Sequence, residues 1–167
     1  MKKIYILEDS KVVAELLKFD LAHEFNCEVI TFDNGNDLIE KLSSNPDIII
    51  LDHFLNNERK ETGLAFLNKI KAINKIVPVI MFTGQHNLKL AIEFIHAGAV
   101  DYIDKNEETF LEDMTNSIRN IFKYKDSVTK LGKVENKVLI DKKQLIALGL
   151  FVSLLVILLF ILQSYST

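Results

Sequence analysis

Cysteine, proline and glycine are all scarce in this chain of 167 residues. The one cysteine, Cys27, excludes an internal disulfide framework and a cysteine-based zinc site, and it favours a reducing compartment. Six glycines and two prolines, without a biased tract, exclude a collagen-like, linker-like or wholly disordered chain. The net charge of −3 argues against general nucleic-acid binding. The length suits one ordinary domain with an appendage.

Charged residues are absent from 145–162, where only Gly149 and Ser153 interrupt a strongly apolar run. As a helix, this run would span about 27 Å, close to the roughly 30 Å hydrocarbon thickness of a bilayer. The alternative is a buried core helix, but a core helix in a small domain normally keeps a polar stripe. We therefore expect a transmembrane helix over 144–163, followed by a short tail over 164–167.

The residues around this run predict its orientation. Five lysines precede it and no charged residue follows it: Lys130, Lys133, Lys137, Lys142 and Lys143. Lysines beside a membrane segment stay on the cytoplasmic side. We therefore expect a single-pass protein of the cytoplasmic membrane whose N-terminal domain faces the cytoplasm. Residues 126–143 lose the preceding apolar periodicity and are expected to form a lysine-rich tether, either helical or extended.

Two smaller features bear on the membrane. Gly149 and Ser153 are four residues apart and would let two such helices pack closely, although this spacing is frequent by chance. At the other end, the apolar run Ile4–Leu7 is too short for an export signal, which agrees with a cytoplasmic domain.

Short apolar runs of strand length alternate with amphipathic stretches of helical spacing in the first part of the chain. The runs are Ile4–Leu7, Val29–Phe32, Ile48–Leu51, Val77–Phe82 and Val100–Ile103. The central runs are apolar almost throughout, which is typical of strands buried on both faces of a parallel sheet. Five alternations predict an α/β fold with a doubly wound five-stranded parallel sheet, in a domain over 1–125.

Polar side chains stand where four of these strands end. They are Glu8 and Asp9, Asp52, Thr83, and Lys105. Ligands bind beyond the carboxyl ends of the strands in open α/β sheets, so we expect these side chains to converge. Clustered carboxylates repel each other unless a cation is present, and Mg²⁺ prefers such oxygens. The ion would clamp phosphoryl oxygens while Asp52 attacks phosphorus, with Thr83 and Lys105 contacting other oxygens.

Four segments carry a family resemblance: Leu7-Glu8-Asp9-Ser10, Ile50-Leu51-Asp52, Met81-Phe82-Thr83-Gly84 and Asp101-Tyr102-Ile103-Asp104-Lys105. In order, spacing and strand context, they resemble the signature of bacterial response-regulator receiver domains of the chemotaxis type, over about residues 1–124. The resemblance implies a flavodoxin-like sheet of order 2-1-3-4-5. It also implies phosphotransfer to Asp52 from a histidine kinase or a phosphotransfer protein.

The resemblance implies roles for further residues. It assigns Mg²⁺ to Glu8, Asp9, Asp52 and the backbone carbonyl of Phe54. It makes Thr83 and Tyr102 a switch pair, with Lys105 on the phosphoryl group. A receiver is a phosphoacceptor with limited phosphorylation and dephosphorylation chemistry of its own, so we do not expect an enzyme.

The chain departs from the family pattern near the site. Glu8 stands where aspartate is frequent, and Asn56 stands where proline is usual. Gly63 comes about three residues late, which makes Asn57–Thr62 a longer, charged loop. Phe54 is a candidate shield of the acyl phosphate against water.

His53 adjoins Asp52 and suggests a general base. Neighbours on a strand face opposite sides, so we expect its ring to point away from the Asp52 carboxylate.

These features predict a membrane-tethered, single-domain response regulator. We expect it to signal by contact with an unidentified downstream protein, through the face of the fourth helix, fifth strand and fifth helix. Residues 126–143 are too short for an output domain. Two alternatives stay open: a receiver-like interaction module independent of phosphorylation, and a phosphohydrolase with Asp52 as nucleophile. A hydrolase needs a second acid, and the usual position two residues later holds Phe54.

Overall fold

The computed structural model describes residues 1–55, 62–85 and 87–164, without the side chains of 134–141, 149 and 152–164. Strands and helices alternate along the described chain. The strands are β1 (Lys3–Leu7), β2 (Glu28–Phe32), β3 (Ile48–Asp52), β4 (Val79–Thr83) and β5 (Asp101–Asp104). The helices are α1 (Lys11–Phe25), α2 (Gly35–Lys41), α3 (Gly63–Ile73), α4 (Leu88–His96) and α5 (Phe110–Ser164), with a 3₁₀ turn at Leu42–Ser44.

The five strands form one parallel sheet in the order β2-β1-β3-β4-β5, which confirms the predicted architecture. Every residue of β3 and β4 is buried, as expected for central strands covered on both faces. The predicted strands are confirmed with small shifts in their bounds. The largest shift is at Val77 and Pro78, which precede β4, because proline has no amide hydrogen to donate to a ladder.

Short polar side chains cap three of the helices. Asn34 accepts a hydrogen bond from the Asn36 amide at 2.9 Å, and Asn87 accepts one from the Lys89 amide at 3.0 Å. Thr62 caps α3 in the same way. Ser10 occupies the N-cap position of α1, as predicted, but its side chain makes no capping hydrogen bond.

The last helix is continuous. α5 runs from Phe110 to Ser164, so the predicted tether over 126–143 is helical, one of the two conformations considered. The chain divides into two compact units, of which the first is Met1–Ile121 and the second begins at Phe122.

Among the residues that the structure describes, no helix is both long enough and apolar enough to cross a membrane. Most of the predicted span over 145–162 lies outside the described side chains. The transmembrane helix therefore stays a prediction.

Candidate functional site

Three carboxylates meet where β1 and β3 end. One carboxylate oxygen each from Glu8, Asp9 and Asp52 lies within 4.8 Å of the others. The two strands are neighbours, with Leu7 paired to Leu51, so the residues that follow lie side by side. Glu8 and Asp52 are buried and Asp9 is half-buried. The predicted convergence of these acids is therefore present in the fold.

Lys105 bridges two of the three acids from the end of β5. Its Nζ lies 2.5 Å from Oε2 of Glu8 and 2.9 Å from Oδ2 of Asp52. The lysine amide also donates to the carbonyl of Thr83 at 3.0 Å, which fixes the backbone from which the side chain extends. One ammonium offsets part of the charge of three carboxylates, so the cluster keeps a net negative charge.

Burial controls the ionisation of Glu8. It raises the pKa of the Glu8 carboxyl above its usual value, and the neighbouring charge of Asp52 raises this pKa further. The hydrogen bond from Lys105 and its positive charge act in the opposite direction. The Ser10 amide donates to Oε1 of Glu8 at 3.1 Å, so the N-cap residue of α1 orients this carboxylate. A cation beside Glu8 would favour its ionised form.

The donor set fits Mg²⁺. All three side chains offer carboxylate oxygens, and Mg²⁺ is a hard cation that binds one or two carboxylates together with water and phosphate oxygens. Asp52 is held for this role, since its Oδ1 accepts a hydrogen bond from the Phe54 amide at 3.2 Å. The acidic pocket of Glu8, Asp9 and Asp52 is therefore consistent with the expected magnesium.

The two predicted switch residues contact the same loop residue. Thr83 is buried at the end of β4, and its Oγ1 accepts a hydrogen bond from the Gln85 amide at 3.4 Å. The Tyr102 hydroxyl on β5 donates to the Gln85 carbonyl at 2.5 Å. The Tyr102 ring stacks on Phe94 of α4, with 6.0 Å between ring centroids. Gln85 thus connects the Thr83 hydroxyl at the end of β4 to the Tyr102 ring beside α4.

His53 packs toward α4. The side chain is buried, and its ring makes edge contacts with Phe94 at 5.0 Å and with Phe54 at 4.5 Å between centroids. Burial lowers the pKa of His53 and favours the neutral ring. Its Nδ1 is buried with no hydrogen-bond partner within the described residues. These ring contacts agree with the expectation that His53 turns away from the acids. The neighbouring Phe54 keeps 48% of its surface exposed.

Two further residues shape the site: Asn106, which was not recognised from the sequence, and Gly63, which was recognised only as a late glycine near the site. The Asn106 side chain donates to the Gly84 carbonyl at 2.6 Å and joins the loops that follow β4 and β5. The Gly63 amide donates to the His53 carbonyl at 2.8 Å, and a Cβ at Gly63 would lie 2.1 Å from the Asp52 carbonyl oxygen. The late position of Gly63 in the sequence was a signal for its contact with the end of β3. The only signal for the contact of Asn106 with Gly84 was a polar residue directly after Lys105.

Residues 4–124 match the response regulator receiver domain family, and the chain belongs to this family. It therefore contains a receiver domain of two-component signalling, a domain that accepts a phosphoryl group on an aspartate. Receiver domains are typically phosphoacceptors rather than enzymes.

Curated relatives match about two thirds of the chain. A protein-glutamate methylesterase/protein-glutamine glutaminase of Clostridium acetobutylicum is 33% identical over 112 residues, which are 65% of this chain and 32% of the relative. The response regulator ArlR of Staphylococcus saprophyticus is 32% identical over 105 residues, which are 63% of this chain and 46% of the relative. The chain thus spans less than half the length of these relatives.

Solved receiver domains share the fold. A response regulator receiver domain protein from Clostridium thermocellum superposes with a TM-score of 0.67 at 26% identity, over 77% of this chain and 99% of its own. The chemotaxis protein CheY4 of Vibrio cholerae superposes with a TM-score of 0.63 at 22% identity, over 72% of this chain and 98% of its own.

Proposed function

We propose that this protein is a membrane-anchored response regulator that accepts a phosphoryl group on Asp52. The donor is a phosphorylated histidine of a sensor kinase or of a phosphotransfer protein. The observation that carries this proposal is the grouping of Asp52 with Glu8, Asp9 and the Lys105 ammonium at one edge of the sheet. Asp52 is the best placed nucleophile, because it ends the central strand β3, with Glu8 and Lys105 beside it.

In the transfer, one carboxylate oxygen of Asp52 forms a bond to phosphorus while the bond from phosphorus to the donor imidazole nitrogen breaks. The second ring nitrogen of the donor phosphohistidine carries a proton, so the products are an acyl phosphate and a neutral histidine on the donor. Glu8, Asp9, Asp52 and the Phe54 carbonyl would hold Mg²⁺, and the ion would supply positive charge for the phosphoryl oxygens. Lys105 neutralises a further phosphoryl oxygen, and the Thr83 hydroxyl donates a hydrogen bond to another.

The switch follows from the contacts of Gln85. When the Thr83 hydroxyl turns toward the phosphoryl group, the Gln85 amide loses its acceptor and the loop before α4 can shift. This shift changes the carbonyl to which Tyr102 donates, and hence the packing of its ring against Phe94. The structural change thereby reaches α4 and β5.

Output passes through protein contact at the face of α4, β5 and the first turns of α5. On α4, three exposed apolar side chains follow helical spacing: Leu88, Ile92 and Ile95. Side chains four and three residues apart share one side of a helix, so these form an apolar strip that suits a partner protein.

The membrane anchor is the helix over 144–163, with the receiver domain on the cytoplasmic side of the cytoplasmic membrane. Five described side chains in its first half are apolar and exposed: Leu145, Ile146, Leu148, Leu150 and Phe151. At about 100° per residue they point in all directions around the helix, and a helix apolar on every side requires apolar surroundings. The preceding lysines support the orientation.

Phosphorylation can be tested on the full chain in detergent micelles with Mg²⁺ and acetyl phosphate. We expect one stable phosphoryl group per chain, lost in Asp52→Asn and kept in the matched control Asp20→Asn on α1. The absence of labelling in the folded protein would indicate an interaction module that does not use phosphate. Sustained release of phosphate over many turnovers would indicate a hydrolase.

The anchor can be tested separately by flotation with phosphatidylcholine vesicles. The wild-type chain should float with the vesicles and resist extraction at alkaline pH. The double variant Leu148→Arg, Leu150→Arg should remain in the soluble fraction, because charges within the hydrocarbon region are costly. Ile76→Arg, an exposed position of the receiver domain, is the control. Flotation of all three proteins alike would exclude insertion of this helix.

A further inference from the structure

An exposed apolar stripe lies on α5 within the second unit. It consists of Tyr124, Val128 and Leu131, which are 72%, 49% and 69% exposed. The spacings of four and three residues place the three side chains within about 60° of one another on the helix surface. Lys130 and Lys133 are also exposed and fall on other sides of the helix. The stripe is therefore narrow, and charged side chains lie on the opposite side of the helix.

The width of the stripe indicates which kind of surface covers it. A helix that lies on a membrane or against a domain core buries a face of 100° or more, whereas a seam between two paired helices is narrower. The helix is also continuous to Ser164. If its apolar end enters a bilayer, the segment from 122 to 144 leads away from the lipid surface, so lipid does not cover the stripe.

We propose that Tyr124, Val128 and Leu131 form a self-association seam, through which two copies of this chain pair in parallel. An isolated helix of this length is marginal in water, and pairing would bury its apolar side chains. A second copy fits because chains anchored at the same end enter the membrane in the same direction. Identical stripes then meet at the same height, as a symmetric dimer requires.

The parallel orientation and the exclusion of lipid rest on the proposed anchor, whereas the narrow stripe of Tyr124, Val128 and Leu131 does not. In the sequence, steps of seven residues lead from Leu131 to Leu145 and from Val128 to Gly149. The small residue Gly149 therefore falls on the same register as the seam. Glu135 and Lys142 also fall on this register, and polar residues there fix alignment at a cost in stability. Pairing is therefore weak in dilute solution and strengthened when both copies share a membrane.

Cysteine cross-linking of the full chain in vesicles tests the seam. Val128→Cys, treated with a short bis-maleimide, should give a covalent dimer in several-fold higher yield than Lys130→Cys, its control outside the stripe. Cys27 can stay in place, because it is buried and burial raises the pKa of its thiol. The wild-type chain measures the remaining background. Equal yields at positions 128 and 130, or no dimer at either, would overturn the proposal.

A charge variant gives a second measurement that needs no cross-linker. Leu131→Lys should lower the dimer fraction in sedimentation of the micelle-bound chain, whereas Lys133→Glu should leave it unchanged. A dimer fraction unaffected by Leu131→Lys contradicts the seam. Flotation with vesicles distinguishes the two proposals. If the chain does not float with the vesicles but still cross-links specifically at position 128, the seam is supported and the membrane anchor is excluded.

Discussion

The ammonium of Lys105 lies 2.5 Å from Glu8 and 2.9 Å from Asp52, so one cation bridges two buried carboxylates from different strands. These contacts stabilise the site without bound metal, since Glu8 and Asp52 would otherwise repel each other. They also leave a net negative charge, because Asp9 lies in the same cluster. The arrangement offsets part of the repulsion between the two acids and is consistent with a divalent ion at this edge of the sheet.

Removal of the Lys105 charge should make stability depend more strongly on magnesium. In metal-free buffer, we expect Lys105→Met to lower the free energy of unfolding by about 1–3 kcal/mol, below the range for fully buried pairs because Lys105 is partly exposed. Mg²⁺ should restore more stability to the variant than to the wild type. Urea denaturation with and without Mg²⁺ measures both effects.

The control for this prediction is Lys18→Met. Lys18 pairs with Glu15 at 3.5 Å on the exposed side of α1, so its loss should cost less than about 1 kcal/mol and respond little to Mg²⁺. An equal loss in the two variants would mean that the bridge at the site contributes no more than a surface pair.

Phe54 should lengthen the lifetime of the phosphorylated state. Phe54→Asn replaces a half-exposed ring beside Asp52 with a polar group, which admits water, so dephosphorylation should become several-fold faster. The decay of labelled protein after removal of the donor measures this rate. Phe19→Asn, an exposed aromatic change on α1, should leave the rate unaltered. An unchanged lifetime in Phe54→Asn would remove the shielding role.

Gly63 should tolerate no side chain. A Cβ there would lie 2.1 Å from the Asp52 carbonyl oxygen and 2.7 Å from the Cα of His53. Both neighbours are backbone, so the change requires a costly backbone shift, and Gly63→Ala should destabilise the receiver domain by about 1–3 kcal/mol. In Gly84→Ala the nearest atoms belong to Asn106 at 3.5 Å or beyond, which is ordinary contact. Similar denaturation midpoints for the two variants would contradict this account.

His53 should prove dispensable for phosphorylation. Its buried Nδ1 has no partner within the described residues, so His53→Leu removes a desolvated polar atom and should raise stability by about 1 kcal/mol. Labelling of Asp52 should proceed at the wild-type rate. His23→Leu, on the exposed side of α1, should change neither quantity. A folded His53→Leu protein that is labelled slowly would indicate a catalytic role for the ring.

The sheet and the acidic cluster could be predicted from the sequence because both follow from local pattern. Runs such as Ile48–Leu51 identify buried parallel strands, and parallel strands bring their carboxyl ends to one edge. Glu8, Asp52 and Lys105 could therefore be expected together before any distance was known. The exact bounds of a strand were harder to predict, since Val77 is apolar but precedes the start of β4.

Other features depend on contacts that no local pattern specifies. Serine is a favoured N-cap residue, but the Ser10 side chain makes no capping hydrogen bond. Its amide donates to Glu8 instead, because the geometry of the loop determines these partners. The bond from Asn106 to Gly84 joins two loops far apart in the sequence. Loss of apolar periodicity over 126–143 did not end the helix, because the segment lacks proline and is rich in helix-forming lysine.

The hydrogen bond from Gly63 to His53 has an evolutionary consequence. It joins the start of α3 to the end of β3, so the two ends of the connecting loop are held in fixed positions. Lengthening such a loop adds little to the entropy of closing it. Relatives could therefore gain or lose residues beside the reactive aspartate, and acquire new partner preferences, while the catalytic geometry stays intact.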